Sequence, residues 1–201
     1  MSIATTPEFI DLLIEPRWIA AVDPDVVLKN HAVAVHDGRI IAVLPGGEAR
    51  ERFDPGKRVV LADHILIPGL VNLHTHAAMS LMRGLADDLP LLDWLQKYIW
   101  PAESGNASPQ FVYDGTRLAC AEMLLGGVTC FNDMYFFPEA AASAASELGM
   151  RAMLGITALE FPTPYASDAD DYIDKGLAVR EQWLTHPLIG FCLAPHAPYT
   201  V

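Results

Sequence analysis

The stretch LVNLHTHAAMS, Leu70 to Ser80, carries two histidines separated by one residue at the end of an apolar run. The apolar run indicates a buried strand. Residues two apart in a strand point to the same side, so His74 and His76 can direct two imidazoles at one point. Imidazole suits zinc, iron, nickel and copper, but two ligands make only half of a tetrahedral site. Taken alone, the stretch leaves open both a metal site and a pair of surface or hydrogen-bonded histidines.

Strand-like and helix-like segments alternate in the chain after Pro68. Four strands are indicated, centred near Asn72, Phe131, Leu154 and Phe191. Alternation of this kind predicts an α/β fold with a parallel sheet and right-handed crossovers. Four such units are half of a (β/α)8 barrel, where active sites form at the carboxyl ends of the strands. A doubly wound sheet is the alternative, although no GxGxxG or P-loop motif follows any of the strands.

The chain before Pro68 has a different pattern of short extended segments. The segment HAVAVHDGRIIAVLP places Asp37-Gly38 between two alternating apolar runs, which is a strong hairpin signal. We therefore expect a small β domain over residues 1–67 and an α/β domain over residues 68–201.

Composition limits the classes of partner and compartment. Of the 201 residues, 52% are hydrophobic and 19% are charged, which is typical of a globular protein with a substantial core. A net charge of −12 argues against binding to nucleic acid or to an anionic membrane. No long apolar run or basic leader indicates a transmembrane helix or a secretion signal. Three widely spaced cysteines without a CxxC pair favour reduced thiols, so we expect a cytoplasmic protein.

The segment from Leu66 to Glu103 resembles the opening of the amidohydrolase superfamily. Its Pro-Gly-x-x-Asn-x-His-x-His element is typical of the superfamily as a whole. The segments RGLADDLPL, IWPAE and APHAPYT resemble more narrowly the branch of 5-methylthioadenosine and S-adenosylhomocysteine deaminases, which has chlorohydrolase relatives. The similarity extends along the whole chain and includes GGVTCFNDMYF.

This resemblance implies a (β/α)8 barrel together with a β-sandwich built from both ends of the chain. Residues 1–67 would then form part of the sandwich, and residues 68–201 the first half of the barrel. The family's later parts are a histidine and a nearby glutamate of the fifth strand, a histidine of the sixth and an aspartate of the eighth. They would lie beyond Val201, so we expect the N-terminal half of a longer protein, inactive by itself.

The resemblance also assigns four site residues. His74 and His76 match the metal ligands of the first strand, which hold one divalent ion, usually zinc. Glu103, in the WPxE element, matches the residue that binds the ribose hydroxyls, and a carboxylate can accept from both O–H groups of a vicinal diol. His196, in APHAPYT, matches a histidine that contacts the nucleoside. The catalytic groups for proton transfer are expected beyond Val201.

Four further charged residues near these motifs receive no chemical role. Asp87 and Asp88 could be mistaken for a catalytic pair of carboxylates, but we expect them to cap or stiffen the loop after the first strand. Arg83 is expected to order the same loop. Asp133, near the end of the second strand, is expected to be structural.

The activity that the resemblance implies is hydrolytic deamination, in which metal-bound hydroxide attacks C6 of an adenine nucleoside and yields the inosyl product and ammonia. The substrate is 5-methylthioadenosine, S-adenosylhomocysteine or both. The loop EFPTPYASDADD contains no cation, so it suits a neutral methylthio tail better than an amino-acid tail.

The alternatives are a guanine or cytosine deaminase, a triazine chlorohydrolase, or a non-catalytic relative that uses the barrel as a binding or assembly module. Relatives are commonly dimers or larger, so a homo-oligomer is compatible with the resemblance.

Overall fold

A computed structural model describes residues 6–198 and 200–201 of the chain. The chain divides into two compact units between Pro68 and Gly69, one residue after the boundary expected from the sequence. Among the described residues, no helix is long and apolar enough to cross a membrane.

The first unit is a five-stranded sheet with one short helix. Its elements are β1 (Glu8–Ala20), β2 (Val27–Lys29), β3 (His31–His36), β4 (Arg39–Pro45), α1 (Gly46–Arg52) and β5 (Phe53–Leu66). The strand order is β2-β1-β3-β4, and β5 pairs with β1 in parallel. The expected hairpin joins β3 to β4. The φ angles of Asp37 and Gly38 are both positive, as a two-residue type I′ turn requires.

The sequence did not predict helix α1 in this unit. Two glycines open it, Gly46 and Gly47, and seven residues are too few to show a helical period. Arg50 of this helix bonds Glu15, a carboxylate that is only 8% exposed and that also bonds Arg58. This buried charge on β1 is therefore paired on both of its oxygens.

The second unit contains the four strands expected from the sequence. Its strands are β6 (Leu70–Thr75), β7 (Val128–Asp133), β8 (Arg151–Ala158) and β9 (Ile189–Pro195). Its helices are α2 (Leu91–Trp94), α3 (Trp100–Asn106), α4 (Pro109–Leu125), α5 (Pro138–Glu147) and α6 (Ala169–Trp183). The strands form one parallel sheet in the order β6-β7-β8-β9, so the unit has the α/β fold that the alternation predicts.

Local signals explain where the long helices begin and end. The Ser108 hydroxyl accepts from the backbone N–H of Phe111 at 3.2 Å, and Pro109 follows as the first residue of α4. The Asp168 carboxylate accepts from the backbone N–H of Asp171 at 3.0 Å and caps α6 in the same way. These caps satisfy N–H groups that the first turn of a helix leaves without partners.

Two irregular helical turns lie beside the carboxyl end of the sheet. A 3-10 turn, Ala77–Met82, follows β6, and a π-helical turn, Leu95–Ile99, connects α2 to α3. The 3-10 turn packs closely on α4, because a Cβ added at Gly115 would lie 2.3 Å from the carbonyl oxygen of Ala78. The glycine thus allows the backbone of α4 to contact the segment that follows His76.

Candidate functional site

A cavity of about 270 Å³ lies in the second unit at the carboxyl ends of all four strands. It brings together three of the four site residues expected from the sequence. His76 comes directly after β6, Glu103 belongs to α3, and His196 comes directly after β9. The remaining lining is mostly aromatic and aliphatic, so these three side chains are the histidines and the carboxylate among the lining residues that the structure describes.

His74 lies next to His76 and outside the cavity lining. The two imidazole rings are 4.9 Å apart between centroids and nearly perpendicular. Two side-chain amides, those of Asn72 and Asn132, form hydrogen bonds with the backbone at Leu73 and His74. The Asn72 side-chain oxygen accepts from the backbone N–H of His74 at 3.2 Å, and Asn132 of β7 donates to the Leu73 carbonyl at 3.2 Å.

The tautomer of His76 follows from its hydrogen bond. Its Nδ1 lies 2.7 Å from the backbone carbonyl oxygen of Met134, and a carbonyl can only accept, so Nδ1 carries the proton. The Nε2 lone pair of the neutral ring is then free. This arrangement is typical of a metal-ligating histidine, in which one ring nitrogen is held by the protein and the other faces the ion.

The donor set therefore fits a metal ion but does not complete a site. His74 and His76 supply two adjacent imidazoles. Within residues 6–198 and 200–201, the one group of three or more His, Cys, Asp or Glu ligand atoms close enough to share an ion is Asp11, His36 and Asp37, which lies in the first unit. Further ligands for His74 and His76 would have to come from elsewhere.

Asp133, which we expect to be structural, lies at the end of β7 and bonds the backbone next to His76. It is 3% exposed, and its Oδ1 accepts from the backbone N–H of Ala77 at 2.8 Å. Burial raises the pKa of this carboxyl to about 7, against the lowering effect of its backbone hydrogen bonds. The bond to Ala77 fixes the start of the 3-10 turn immediately after His76.

Glu103 is held by a residue that the sequence analysis missed. The Tyr135 hydroxyl donates to Oε1 of Glu103 at 2.9 Å, and the tyrosine is only 7% exposed. Burial raises the pKa of Glu103, and the tyrosine bond acts in the opposite direction. Burial also raises the pKa of Tyr135 far above its usual range, so its hydroxyl stays a donor.

The tautomer of His196 follows from a chain of two hydrogen bonds. Its Nδ1 lies 2.9 Å from the Thr200 hydroxyl, which itself donates to the Ala197 carbonyl at 3.0 Å. Because the single hydroxyl proton is used there, Nδ1 of His196 must donate, and Nε2 is left as an acceptor. Burial lowers the pKa of His196, and the proximity of the His76 imidazole acts in the same direction, so the neutral ring of His196 is favoured.

A comparison with protein-family models gives one match, in which residues 65–201 fit the model described as the amidohydrolase family. The match covers more than half of the chain and includes every element of the cavity.

This chain belongs to the amidohydrolase family.

Several curated proteins are similar to this chain over nearly its whole length. A 5-methylthioadenosine/S-adenosylhomocysteine deaminase of Saccharophagus degradans is 52% identical over 192 residues, which are 95% of this chain and 43% of the relative. The protein with the same name from Teredinibacter turnerae is 46% identical over 198 residues, which are 98% of this chain and 45% of the relative. The chain thus spans less than half the length of these relatives.

Solved structures of a deaminase and a chlorohydrolase have the same fold. A crystal structure of an adenosine deaminase from Xanthomonas campestris with bound zinc is 51% identical, with a TM-score of 0.94 over 98% of this chain and 45% of that one. An atrazine chlorohydrolase from Arthrobacter aurescens has a TM-score of 0.79 at 20% identity, covering 90% of this chain and 46% of that one. At that identity the second similarity shows the fold alone.

One wall of the amidohydrolase cavity is apolar and comes from the loop after β8. Phe161 and the two following prolines lie there, and the Phe161 ring is 6.2 Å from that of Trp100. No Lys or Arg occurs among the described lining residues. The loop is anchored from behind, because the Thr163 hydroxyl bonds that of Tyr172, a residue of α6 that is 1% exposed.

The charged residues to which we assigned no chemistry lie outside this cavity. Arg83 forms two bonds with Glu122 of α4, at 2.9 and 2.6 Å, and so ties the loop after the 3-10 turn to that helix. Asp87 and Asp88 are absent from the described lining, and Asp88 has a left-handed φ of 64° in the loop.

The one signal for Tyr135 in the sequence was its place two residues after Asp133, at the carboxyl end of a strand.

Proposed function

We propose that this chain is part of an enzyme that hydrolytically deaminates an adenine nucleoside, 5-methylthioadenosine and/or S-adenosylhomocysteine, to the inosyl product and ammonia. The observation that carries the proposal is that His76, whose Nε2 is free, and the half-buried carboxylate of Glu103 line one cavity. The names of the relatives at 46–52% identity agree with this assignment.

His74 and His76 would hold one divalent metal ion. Zinc is the best candidate, because the similar adenosine deaminase structure contains zinc and imidazole is one of its usual ligands. When bound, such an ion supplies hydroxide at neutral pH by lowering the pKa of water to roughly 7. The chain's own contribution is to orient His76 through Met134 and to fix the following turn through Asp133.

Glu103 would bind the ribose hydroxyls. One of its oxygens already accepts from Tyr135, while Oε2 and the second lone pair of Oε1 are left for two further donors. A vicinal diol offers two O–H groups at this spacing, and a charged acceptor in a poorly hydrated cavity makes strong bonds to them. We propose that this pairing fixes the position of the adenine ring.

His196 would contact the base or sugar as a hydrogen-bond acceptor. Its Nδ1 is occupied by Thr200, so Nε2 is the atom left for substrate. Because its pKa is lowered, the ring stays neutral and keeps that acceptor at physiological pH.

The tail of the preferred nucleoside would be the methylthio group. The wall formed by Phe161 and the adjoining prolines is apolar, and no cation lies in the described lining to pair with an amino-acid carboxylate. Equal activity on S-adenosylhomocysteine and 5-methylthioadenosine would contradict this preference.

The architecture of the whole protein is part of the same proposal. The parallel order β6-β7-β8-β9, with a neighbour on only one side of β6 and of β9 in the described sheet, supports half of a (β/α)8 barrel. We further propose that the first unit belongs to a β-sandwich. Three free cysteines, Cys120, Cys130 and Cys192, agree with a reducing compartment such as the cytoplasm. Because the chain resembles a family whose members are commonly dimers or larger, we also propose a homo-oligomer.

The test is the substitution Glu103→Gln in the metal-loaded full-length protein. Loss of the charged acceptor should raise the KM for 5-methylthioadenosine by about tenfold or more, because a hydrogen bond to a charged group is worth roughly 1.5–3 kcal/mol. Glu181→Gln, on the exposed side of α6, is the matched control and should leave KM unchanged. Turnover of guanine or a triazine that is insensitive to Glu103→Gln would contradict the proposal and favour a deaminase or chlorohydrolase that needs no ribose contact.

A further inference from the structure

Three consecutive residues at the carboxyl end of β7, Asp133 to Tyr135, each form a hydrogen bond with a different part of the second unit. The Asp133 carboxylate accepts from Ala77, and the Met134 carbonyl accepts from His76. The Tyr135 hydroxyl then donates to Glu103. One short segment therefore connects the turn after β6, a proposed metal ligand and the proposed ribose ligand.

The environment of Tyr135 restricts what its hydroxyl can do. Its ring is buried and lies 4.9 Å from that of Phe136, between centroids. Its backbone carbonyl accepts from the Thr157 hydroxyl at 3.4 Å, so the backbone is held independently of the side chain. Phenylalanine could fill the same space, and among the described residues the Tyr135 hydroxyl bonds Glu103 alone.

Glu103 needs such a partner because its surroundings are apolar. Glu103 is half-buried, and a carboxylate that loses part of its hydration without gaining a hydrogen-bond donor would turn toward solvent or take up a proton. No lysine or arginine is present in the described lining to pair with it. The tyrosine occupies Oε1 and thereby determines which way the remaining lone pairs face.

We propose that Tyr135 is a positioning residue for the ribose contact: by donating to Oε1 of Glu103 it holds the carboxylate charged and oriented toward the 2′- and 3′-hydroxyls. This inference rests on the proposed function, since it assigns Tyr135 a role only through Glu103. Tyr135 itself need not touch the substrate. Its removal should therefore affect substrates that have the diol and spare those that lack it.

The experiment is a double-mutant cycle on the metal-loaded full-length protein. The variants are Tyr135→Phe, Glu103→Gln and the pair together, and the substrates are 5-methylthioadenosine and its 2′,3′-dideoxy analogue. We expect Tyr135→Phe to reduce the preference for the diol, as a ratio of kcat/KM values, by about tenfold. The loss should lie mainly in KM. In the Glu103→Gln background, adding Tyr135→Phe should change kcat/KM by less than about twofold, because the interaction is already gone.

A matched control removes a tyrosine–glutamate bond elsewhere in the same unit. Tyr113 of α4 donates to Glu147, away from the cavity lining, and Tyr113→Phe should leave the diol preference as in the wild type. Equal losses on both substrates in Tyr135→Phe, or an undiminished effect in the Glu103→Gln background, would overturn the positioning role alone. If the wild type deaminates neither 5-methylthioadenosine nor S-adenosylhomocysteine, the proposed function and this inference are overturned together.

Discussion

The imidazole Nδ1 of His76 lies 2.7 Å from the backbone carbonyl oxygen of Met134. The acceptor is a backbone atom, so substituting the Met134 side chain leaves it in place. Because His76 directly follows β6 and Met134 directly follows β7, the pairing of these two strands orients the ring. The free Nε2 that results is the basis of the metal assignment.

His76→Ala should greatly weaken metal binding, because it removes one of two adjacent imidazoles. We expect the metal content of the purified full-length protein, after dialysis against a chelator, to fall by at least tenfold relative to the wild type. His64→Ala, an exposed histidine of β5, is the control and should retain the metal. Equal metal content in all three proteins would show that His76 is not a ligand.

Asp133→Asn should alter the pH dependence of stability in the metal-free protein. Burial raises the pKa of Asp133 to about 7, so the folded protein keeps a proton that the unfolded chain releases near its ordinary value of 3.8. The folded state binds more protons between these values, and the wild type therefore loses stability relative to Asp133→Asn as pH rises from about 4 to 7. Thermal midpoints measured across this range should diverge in that direction, and parallel curves would contradict the prediction.

Gly115→Ala should destabilise the second unit and disturb the segment after His76. The added Cβ would lie 2.3 Å from the Ala78 carbonyl oxygen and 2.8 Å from its Cα, so two backbones must separate. We expect a loss of about 2 kcal/mol or more in the free energy of unfolding, together with weaker metal binding. Gly105→Ala in α3, whose Cβ would meet nothing within 4 Å, should be neutral or slightly stabilising. Equal melting temperatures for the two variants would be evidence against this close contact.

Phe161→Arg should change the preference for the nucleoside tail. The substitution places a cation in a wall that has none among its described residues, where it can pair with the carboxylate of S-adenosylhomocysteine. We expect the kcat/KM ratio of S-adenosylhomocysteine to 5-methylthioadenosine to rise about tenfold. Phe161→Leu keeps the wall apolar and serves as the control. An unchanged ratio in both variants would mean that this wall does not face the tail.

The sequence predicted the order of strands and helices well because those features depend on neighbouring residues. Ser108 and Pro109 mark the start of a helix by local hydrogen bonding and a fixed φ, and Asp37-Gly38 marks a hairpin by its positive φ angles. The resemblance to a family supplied the site residues, three of which the structure places around one cavity.

The contacts that orient the site could not be predicted in the same way. Tyr135 and Glu103 are 32 residues apart, and Asp133 and Ala77 are 56 apart, so their bonds exist only once β6, β7 and α3 are packed. The residues Leu95–Ile99 carry no local signal that distinguishes a π-helical turn from an ordinary one.

The most direct test of nucleoside deamination is ammonia release by the metal-loaded full-length protein from 5-methylthioadenosine, S-adenosylhomocysteine, adenosine and guanine. We expect release from the adenine nucleosides, fastest from 5-methylthioadenosine, and none from guanine. Release from guanine alone, or from none of the four, would contradict the nucleoside deaminase assignment.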